Sequence, residues 1–472
     1  MTTANYFEKL ITELKPTQFD DMHKSAGKIA QKLNSHYYDL QGDGLSHLKI
    51  VGSAGRGTCI KGASDLDIIF DLPKEKFTQY DRYDKKSNGQ SALLQEVKKV
   101  LMEKYPRTDI GGDGQVVVIA FEKYTIELVP GFKQSDNSFK YPDSNDGGSW
   151  RITNPLPEIN KSKTIAYESN NVFIHICNML RGWKNNIGFK FGGLLIDTLA
   201  YDFLEKNTDY KCASFSNYLD MMKDVFSYLK DLNEEQNYWY ALGSNQKVYN
   251  STNGNFIRKA KNAFKKINSI NSSENNCIDI LVDIFEYRPP EITLLMESNE
   301  YLNKERQTEV FISQLFSVDI RYSLKIDCTV EDLPDHNDHC KFKQSLRYMI
   351  AHDIKLHTNK RLVFKIMACD LSKWKESCDI YWKVKNNGQE AYKRDCFRGE
   401  IIKTNSAEHF EITTFSGAHY VECFLIKMAC ALLEIELMSK LSELSSIMRT
   451  GIIRKTASIN SLISEIYRCG FA

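Results

Sequence analysis

Three carboxylates at strand-type spacing are the side chains best suited to chemistry. Asp65 and Asp67 stand in the segment SDLD, and Glu127 stands in the later segment IEL. Alternate side chains of a strand share one face, so the two aspartates would project together, and a glutamate on a nearby strand could join them. Mg²⁺ prefers one or two carboxylates with phosphate oxygens, and two such ions about 3.5–4 Å apart stabilise the attacking and leaving oxygens of phosphoryl transfer. The three residues are therefore predicted to be catalytic and to hold two Mg²⁺ ions, which Mn²⁺ could replace.

A Gly-Ser pair precedes the aspartates, at the end of the strand-like segment LKIV. Gly52 would let the backbone come close to an anion, and backbone N–H groups with the Ser53 hydroxyl could hold the terminal phosphates of a triphosphate. The pair is predicted to bind substrate without a P-loop lysine. The alternative is that the acids are ordinary strand-edge residues and that Ser53 only closes a turn.

The residues around these motifs predict a small sheet preceded by helices. Roughly the first 45 residues have apolar side chains every three or four positions, which indicates helix. From His47 onward, short β-branched runs broken by Gly, Asp and Lys indicate strands. Between the strands, the polar segment 74–88 predicts an exposed loop, and the apolar spacing of residues 92–104 predicts an amphipathic helix.

The rest of the chain predicts a helical region and then a β-rich one. Apolar residues recur at helical spacing from about residue 166 to residue 304. Strand-like alternation begins near Tyr322, and the tail from about residue 428 to residue 466 has a helical pattern. The sequence thus predicts an α+β protein with a helical second domain and a β-rich C-terminal domain.

Composition limits the partners of this protein. Lys and Arg number 62 and Asp and Glu number 61, so a net charge of +1 gives no general attraction to nucleic acid or to membranes. No stretch approaches the roughly 18 apolar residues of a spanning helix, and no N-terminal segment resembles a secretory signal. The twelve cysteines lack a CxxC pair, which is typical of reduced thiols. We therefore expect a cytoplasmic protein with no membrane partner.

The order GS, GT, SDLD and IEL resembles the signature of the polymerase-β-like nucleotidyltransferase superfamily. Within it, the chain is most similar to the bacterial cyclic-oligonucleotide synthases, the CD-NTases, which are relatives of oligoadenylate synthase and cyclic GMP-AMP synthase. The resemblance implies a catalytic domain at 1–165 and a helical domain at 166–310. It also implies a helix lysine on the donor triphosphate, for which Lys184 is the candidate, although a solvated helix-end lysine is the alternative. The family often has a serine near the following turn, where this chain has Gly192 and Gly193.

The segments YWKVKNNGQEAYKRDCFRGEI and HFEITTFSGAHYVECFLIK resemble the AGS-C domain, a proposed nucleotide sensor of such synthases. The resemblance implies a sensor-like domain at 320–472, in which the helical tail departs from the family pattern. The candidate sensor-ligand residues, which offer stacking faces or phosphate donors, are Trp382, Arg398, His419 and Tyr420. The alternative is that the aromatic residues pack the β core and that the charges are solvated.

The family resemblance implies a Mg²⁺-dependent enzyme that joins nucleoside triphosphates into a cyclic oligonucleotide second messenger and releases pyrophosphate. Such a product would act on a separate effector protein in antiphage defence, and a nucleic acid or a peptide could activate the synthase. Two alternatives share the same carboxylates: a synthase of linear oligonucleotides and a transferase that modifies tRNA or protein. A third alternative is an inactive nucleotide sensor, which a missing carboxylate would favour.

Overall fold

The structure is a computed structural model that falls into two compact units. It describes residues 1–42, 44–62, 65–82, 88–270, 277–288, 309–333, 342–352, 354, 356–371, 374–387, 391, 393–415, 418–427 and 430–440. The first unit comprises Met1–Ile187, Phe191–Tyr287 and Ser317–Asp319. The second comprises the described residues of 188–190, 288–316 and 320–440. The predicted catalytic and helical domains therefore fold as one unit, with their predicted boundary at 165 and 166 inside it.

The first unit contains most of the helices. Its helices are α1 Thr3–Glu13, α2 Phe19–Tyr38, α3 Gly52–Arg56, α4 Lys74–Asp81, α5 Gly89–Lys104, α6 Pro155–Glu168, α7 Val172–Ile187, α8 Gly193–Lys206, α9 Tyr218–Lys230, α10 Asn255–Asn268 and α11 Cys277–Phe285. Short 3₁₀ helices lie at Asn145–Gly147, Thr208–Cys212 and Phe215–Asn217. The second unit has the short helices α12 Ile312–Leu315, α13 Leu346–Ala351 and α14 Trp374–Ser377.

Strands are present in both units. Those of the first are β1 Leu48–Ile50, β2 Asp65–Asp71, β3 Asp109–Asp113, β4 Val116–Ala120, β5 Thr125–Lys133, β6 Phe139–Asp143, β7 Ser149–Thr153, β8 Tyr238–Tyr240, β9 Lys247–Tyr249 and β10 Ser317–Val318. Those of the second are β11 Leu324–Asp332, β12 Lys343–Ser345, β13 Lys360–Cys369, β14 Asp379–Asn387, β15 Arg398–Lys403, β16 Glu408–Ile412, β17 Ala418–Lys427 and β18 Cys430–Lys440. This mixture confirms the predicted α+β class and the β-rich C-terminal region.

One mixed sheet positions the predicted carboxylates. Its strands lie in the order β1, β2, β5, β4 and β3, and β6 pairs with both β5 and β7. β2 and β5 run parallel, whereas β1 runs antiparallel to β2. Leu66, Ile68 and Phe70 of β2 are buried in a core shared with α2 and α5. Because alternate side chains of β2 enter this core, Asp65 and Asp67 lie on the opposite face of the sheet.

The second unit is built on two antiparallel groups of strands. One group has β18, β17, β14 and β15 in that order, and the other has β12, β11, β13 and β16. Apolar residues of both groups form one core, in which Ile326, Phe364 and Leu425 are buried. This packing explains the period-two pattern of the C-terminal sequence, since each strand contributes every second residue to the core.

Two predicted elements have a different structure. Residues 74–81 form helix α4 instead of a loop, because Phe77 and Tyr80, three positions apart, both pack on the sheet core. The predicted helical tail is wrong over Cys430–Lys440, which is a strand antiparallel to β17. The alternation Leu-Glu-Ile-Glu-Leu at 433–437 fits a strand better than a helix. The remainder of the predicted tail, from 441, lies outside the described residues.

Within the described ranges, no helix has both the length and the apolar character that crossing a bilayer requires.

Candidate active site

Neighbouring parallel strands bring the three predicted carboxylates together. Asp67 of β2 stands in register with Glu127 of β5, and Asp65 is in register with Thr125. Because these positions are aligned across the sheet, the three acids share one face at the start of β2. The apolar neighbours Leu66 and Ile126 are fully buried on the other face. The structure thus brings the three side chains together on one face, and their catalytic role stays a prediction.

The three carboxylates form a compact cluster. One oxygen from each of Asp65, Asp67 and Glu127 lies within 4.8 Å of the others, and all three residues are half-buried. Oxygen ligands of a single Mg²⁺ at about 2.0–2.1 Å can be no more than about 4 Å apart, so small side-chain adjustments would suffice to bind a divalent ion. The residues present therefore fit the two-metal site that the sequence predicts, with oxygen donors suited to Mg²⁺ or Mn²⁺.

Gly52 is required by the position of Asp67. A β-carbon on Gly52 would lie 1.8 Å from Oδ2 of Asp67, and the φ angle of Gly52 is +62°. Both the contact and the backbone conformation exclude a side chain here. The adjoining Val51 N–H also donates to the Asp67 carbonyl oxygen at 2.9 Å. Gly52 therefore allows the backbone to come close to the Asp67 carboxylate. The predicted contact of Gly52 with phosphate stays a prediction.

Ser53 belongs to the five-residue helix α3, directly after Gly52. Its carbonyl oxygen accepts a hydrogen bond from the Thr58 N–H at 2.9 Å, so the turn after α3 folds back on Ser53. The helix ends at Arg56, and its C-cap, Gly57, has a left-handed conformation with φ of 74°. These contacts fix Ser53 close to the strand that carries the aspartates, and binding of phosphate by its hydroxyl stays a prediction.

A buried ion cluster, which the sequence reasoning missed, anchors α3 to the helical part of the unit. Asp197 of α8 is fully buried and accepts hydrogen bonds from Arg56 Nε at 2.7 Å and Arg181 Nη1 at 2.6 Å. The Thr58 hydroxyl donates to the same carboxylate at 2.9 Å. The available signal was an aspartate inside the apolar helix LLIDTLA, since a buried acid needs cationic partners.

The ion cluster keeps Asp197 charged. Burial alone would raise the pKa of Asp197, but the guanidinium groups of Arg181 and Arg56 hold this pKa at about 2. Glu158 of α6 lies 3.8 Å from Arg56 and accepts a hydrogen bond from the Ser244 hydroxyl at 2.8 Å. Because Arg56 is the last residue of α3, the cluster fixes the helix that begins with Gly52 and Ser53.

Lys184, the predicted triphosphate ligand, lies near the end of α7 and has a carboxylate partner. Its Nζ donates to Oδ1 of Asp319 at 2.9 Å, and its side chain is 8% exposed. The neighbouring Asn185 amide donates to the Val318 carbonyl oxygen at 3.1 Å. The alternative of a solvated helix-end lysine is therefore wrong, and contact with a triphosphate stays a prediction. Gly192 is the N-cap of α8, and the Gly193 carbonyl accepts from Arg181.

The predicted stacking residue of the sensor domain lies in the core. Trp382 is 1% exposed, its indole N–H donates to the Ser406 carbonyl oxygen at 3.0 Å, and its ring stacks on His409. We therefore correct the prediction that Trp382 offers a face to a ligand, because packing and hydrogen bonding already use the whole side chain.

The other three candidates of the sensor domain have protein partners. Arg398 forms a bidentate pair with Glu411 at 2.6 and 3.0 Å. His419 Nδ1 lies 2.7 Å from the Asn386 side-chain oxygen. The Tyr420 hydroxyl donates to Glu309, which also pairs with Lys383 at 2.9 Å. These contacts describe an internally paired polar network, and a ligand role for Arg398, His419 and Tyr420 stays a prediction.

Two parts of the chain match known domain families. Residues 1–165 match the Second Messenger Oligonucleotide or Dinucleotide Synthetase domain, SMODS. Residues 306–434 match the Adenylyl/Guanylyl and SMODS C-terminal sensor domain. The second match begins before the predicted boundary at 320 and includes Glu309, in agreement with the pairing of Glu309 inside the second unit. No curated protein matches the chain significantly.

Several solved structures are similar at low identity. CdnC of E. coli MS115-1 with ATP is 17% identical, covers 60% of this chain and 97% of its own, and has a TM-score of 0.45. The STING-associated CdnE c-di-GMP synthase of Capnocytophaga granulosa is 15% identical, with 57% and 86% covered and a TM-score of 0.46. Apo DncV of Vibrio cholerae is 13% identical, with 51% and 68% covered and a TM-score of 0.40.

The two domain matches are the evidence for the family. They agree with the order of domains and motifs along the chain. The first match contains the whole carboxylate cluster, and the second contains most of the β-rich unit. The chain therefore carries a Second Messenger Oligonucleotide or Dinucleotide Synthetase domain, which is of the nucleotidyltransferase type, and a C-terminal sensor domain.

Proposed function

We propose that this enzyme makes a cyclic oligonucleotide second messenger from nucleoside triphosphates at the Asp65, Asp67 and Glu127 cluster. The observation that carries the proposal is the convergence of three carboxylate oxygens within 4.8 Å on one face of the SMODS sheet. Carboxylate oxygens are the protein ligands that Mg²⁺ prefers, so this spacing supports a role in metal binding.

In the proposed reaction, a ribose hydroxyl of one nucleotide attacks the α-phosphorus of a second. A new phosphorus–oxygen bond forms, the bond to the oxygen that bridges to the β-phosphate breaks, pyrophosphate leaves, and the hydroxyl proton passes to solvent. In a second transfer, the free ribose hydroxyl of the linear intermediate attacks the α-phosphorus of its own triphosphate, which closes the ring and releases a second pyrophosphate. When bound, two Mg²⁺ ions would supply Lewis-acid polarisation of the phosphate oxygens and compensation of their charge.

The protein itself contributes position and charge. Asp65, Asp67 and Glu127 would hold the ions, and the rigid register between β2 and β5 keeps their oxygens in place. Ser53 and the backbone of α3 would position the terminal phosphates of the donor, since the α3 turn directly adjoins Asp67. Lys184 would contact the same triphosphate after leaving Asp319.

The product is proposed to act on a separate effector protein in bacterial antiphage signalling, and the sensor domain to regulate synthesis through a bound nucleotide. The match of residues 306–434 to a C-terminal sensor family supports this regulation. Deleting residues after Ile320 without any change in basal or ligand-stimulated synthesis would count against it.

Product analysis tests the proposed reaction. The purified protein is incubated with radiolabelled ATP, GTP, CTP and UTP and with Mg²⁺ or Mn²⁺, beside a variant that carries Asp65→Asn and Asp67→Asn. A phosphatase-resistant product that the variant fails to make supports a cyclic oligonucleotide. Phosphatase-sensitive oligomers would favour a linear synthase, and label transferred to added tRNA or protein would favour a modifying transferase.

A further inference from the structure

An open cavity of about 890 Å³ lies on the first unit, and it shares no lining residue with the carboxylate cluster. Three parts of the unit form its walls: α6 contributes Lys161, α8 contributes Tyr201 and Asp202, and β8 with its flanking residues contributes tyrosines and amides. Strand β9 lies beside the cavity, paired with β8 in a hairpin. Its volume is in the range typical of pockets for small ligands. The cavity is therefore large enough to be a binding site of its own.

The hairpin presents one aromatic face. Tyr238 pairs with Tyr249 and Tyr240 pairs with Lys247 across the two strands, so these four side chains share a face. Trp239 takes the other face, where it is 6% exposed and lies against the Phe256 ring. The tyrosine rings cluster, with the Tyr238 centroid 5.4 Å from that of Tyr240 and 6.1 Å from that of Tyr249.

Two tyrosines of the aromatic face are largely exposed to solvent, which does not contribute to the stability of the fold. Tyr240 is 58% exposed and Tyr249 is 65% exposed. Large exposed aromatic residues that cluster beside a cavity indicate a binding surface, because burying them elsewhere would stabilise the fold by the hydrophobic effect. Flat rings of this kind are suited to stacking with the bases of a nucleic acid.

One lysine lines the cavity and another lies beside it: Lys161 is part of the wall, and Lys247 is the strand partner of the lining residue Tyr240. Lys247 Nζ lies 4.2 Å from the Tyr238 ring centroid, and Lys161 Nζ lies 4.9 Å from the Tyr201 centroid. Each ammonium group is held against a ring by a cation–π contact and keeps hydrogen-bond donors for an anion. The combination of tyrosine faces and fixed lysines is suited to a ligand that joins a planar ring to a phosphate.

Polar side chains suited to the edge of a base also line the cavity. Asn237 and Asn245 contribute amides that can both donate and accept hydrogen bonds. Asp202 is half-buried, and in the described part of the chain it makes no hydrogen bond or ion pair. A half-buried carboxylate gains most from a ligand that donates N–H groups, such as the amino group of a base.

We propose that this cavity binds a nucleobase linked to phosphate, either as a free nucleotide or as a segment of a single-stranded nucleic acid. The base stacks on Tyr240 or Tyr249, the phosphate contacts Lys247 and Lys161, and Asp202 accepts from the base edge. This site is separate from the catalytic cluster, so the inference stands whether or not the proposed synthesis is correct.

Binding by the full-length chain tests the inference. The parent protein carries Asp65→Asn and Asp67→Asn and is studied in EDTA, which suppresses binding at the carboxylates. One probe is a fluorescein-labelled single-stranded RNA of about 12 nucleotides, a length within the range of single-strand sites, and its anisotropy is measured. The second probe is the set of four nucleoside monophosphates, measured by calorimetry.

The inference predicts saturable binding of at least one probe to the parent. Adding Tyr240→Ala and Tyr249→Ala should weaken it about tenfold or more, as expected for lost base stacking. Adding Lys247→Ala should weaken RNA binding and reduce its dependence on salt. The matched control is Tyr167→Ala, because Tyr167 is 90% exposed but belongs neither to the cavity wall nor to the aromatic face of the hairpin.

The two probes separate the sources of the ligand. Binding of the monophosphates identifies a nucleotide site, and binding of the RNA alone identifies a strand site; both support the inference. Failure of both probes to bind the parent would overturn it. Equal affinity of the parent and of the double tyrosine variant would also overturn it, provided that their thermal unfolding coincides, as the exposure of both tyrosines predicts.

Discussion

Oδ2 of Asp67 occupies the space that a side chain on Gly52 would need, since a β-carbon there would lie only 1.8 Å away. Gly52→Ala must therefore displace either the Asp67 carboxylate or the start of α3. We predict that this substitution lowers the rate of pyrophosphate release by at least about a hundredfold, the scale on which a misplaced catalytic group reduces a rate. Steady-state assays with Mg²⁺ and all four triphosphates measure this effect.

Gly57→Ala is the matched control for Gly52→Ala. Gly57 also has a positive φ angle, of 74°, but a β-carbon there would meet nothing within 4 Å. In Gly57→Ala, backbone strain alone should lower the unfolding free energy by about 1 kcal/mol and leave the rate of pyrophosphate release nearly unchanged. If both variants lost activity equally, backbone strain would explain the result and the contact with Asp67 would not.

Asp197 compensates two buried guanidinium groups, and its removal should be costly. Asp197→Asn removes the carboxylate that Arg56 and Arg181 share and leaves only Glu158, 3.8 Å from Arg56. Loss of one partner of a buried ion pair typically lowers the unfolding free energy by about 3–5 kcal/mol. Asp220→Asn is a control, because its pair with Lys223 is exposed and worth less than about 1 kcal/mol. Urea unfolding compares the two. If both variants lost the same small amount of unfolding free energy, the ion cluster would not be important for stability.

The same cluster predicts how stability depends on pH. The pKa of Asp197 is about 2 in the folded protein and 3.8 as its ordinary value, so the unfolded chain binds the proton first as pH falls. The contribution of this lowered pKa is fully present above about pH 5 and is reduced by about 1 kcal/mol at pH 3. The stability difference between wild type and Asp197→Asn, measured by urea unfolding, should therefore shrink between pH 6 and pH 3. A constant difference would show that Asp197 does not titrate in this way.

Lys184 and Asp319 form a pair that would have to open for a triphosphate to bind Lys184. We predict that Lys184→Met raises the KM for triphosphate about tenfold, the value of one charge-assisted contact. Asp319→Asn should lower this KM and also lower the melting temperature, because the buried lysine loses its carboxylate partner. Lys211→Met, at an exposed pair with Glu205, is the control. Loss of stability without any change of KM in either variant would assign the pair a structural role alone.

The sequence was most informative where function restricts residue types. Asp65, Asp67 and Glu127 were predictable because alternation within a strand and the order of the motifs depend only on local pattern. Their register, with Asp67 opposite Glu127, follows from the parallel pairing of β2 and β5, which no local pattern contains. Local pattern also could not predict the pair of Arg56 and Asp197, because these residues are 141 positions apart and meet only in the folded unit.

The errors have physical causes as well. Trp382 has the chemistry of a ligand-stacking residue, but burial of its large ring in the core stabilises the fold more than exposure would. Residues 430–440 carry enough Leu, Glu and Lys for a helix, but pairing with β17 determines a strand. In both cases tertiary packing decides between local options of similar energy.

The most direct test of the carboxylate centre compares two aspartates of the same strand. Asp67 belongs to the cluster, whereas the Asp71 carboxylate accepts the Lys133 N–H at 2.8 Å and lies outside the cluster. Pyrophosphate release is measured with Mg²⁺ and all four triphosphates for wild type, Asp67→Asn and Asp71→Asn, each checked for unchanged thermal unfolding. We predict a loss of at least about a hundredfold for Asp67→Asn and nearly full activity for Asp71→Asn. Wild-type activity in Asp67→Asn would contradict the assignment of this cluster as the catalytic centre.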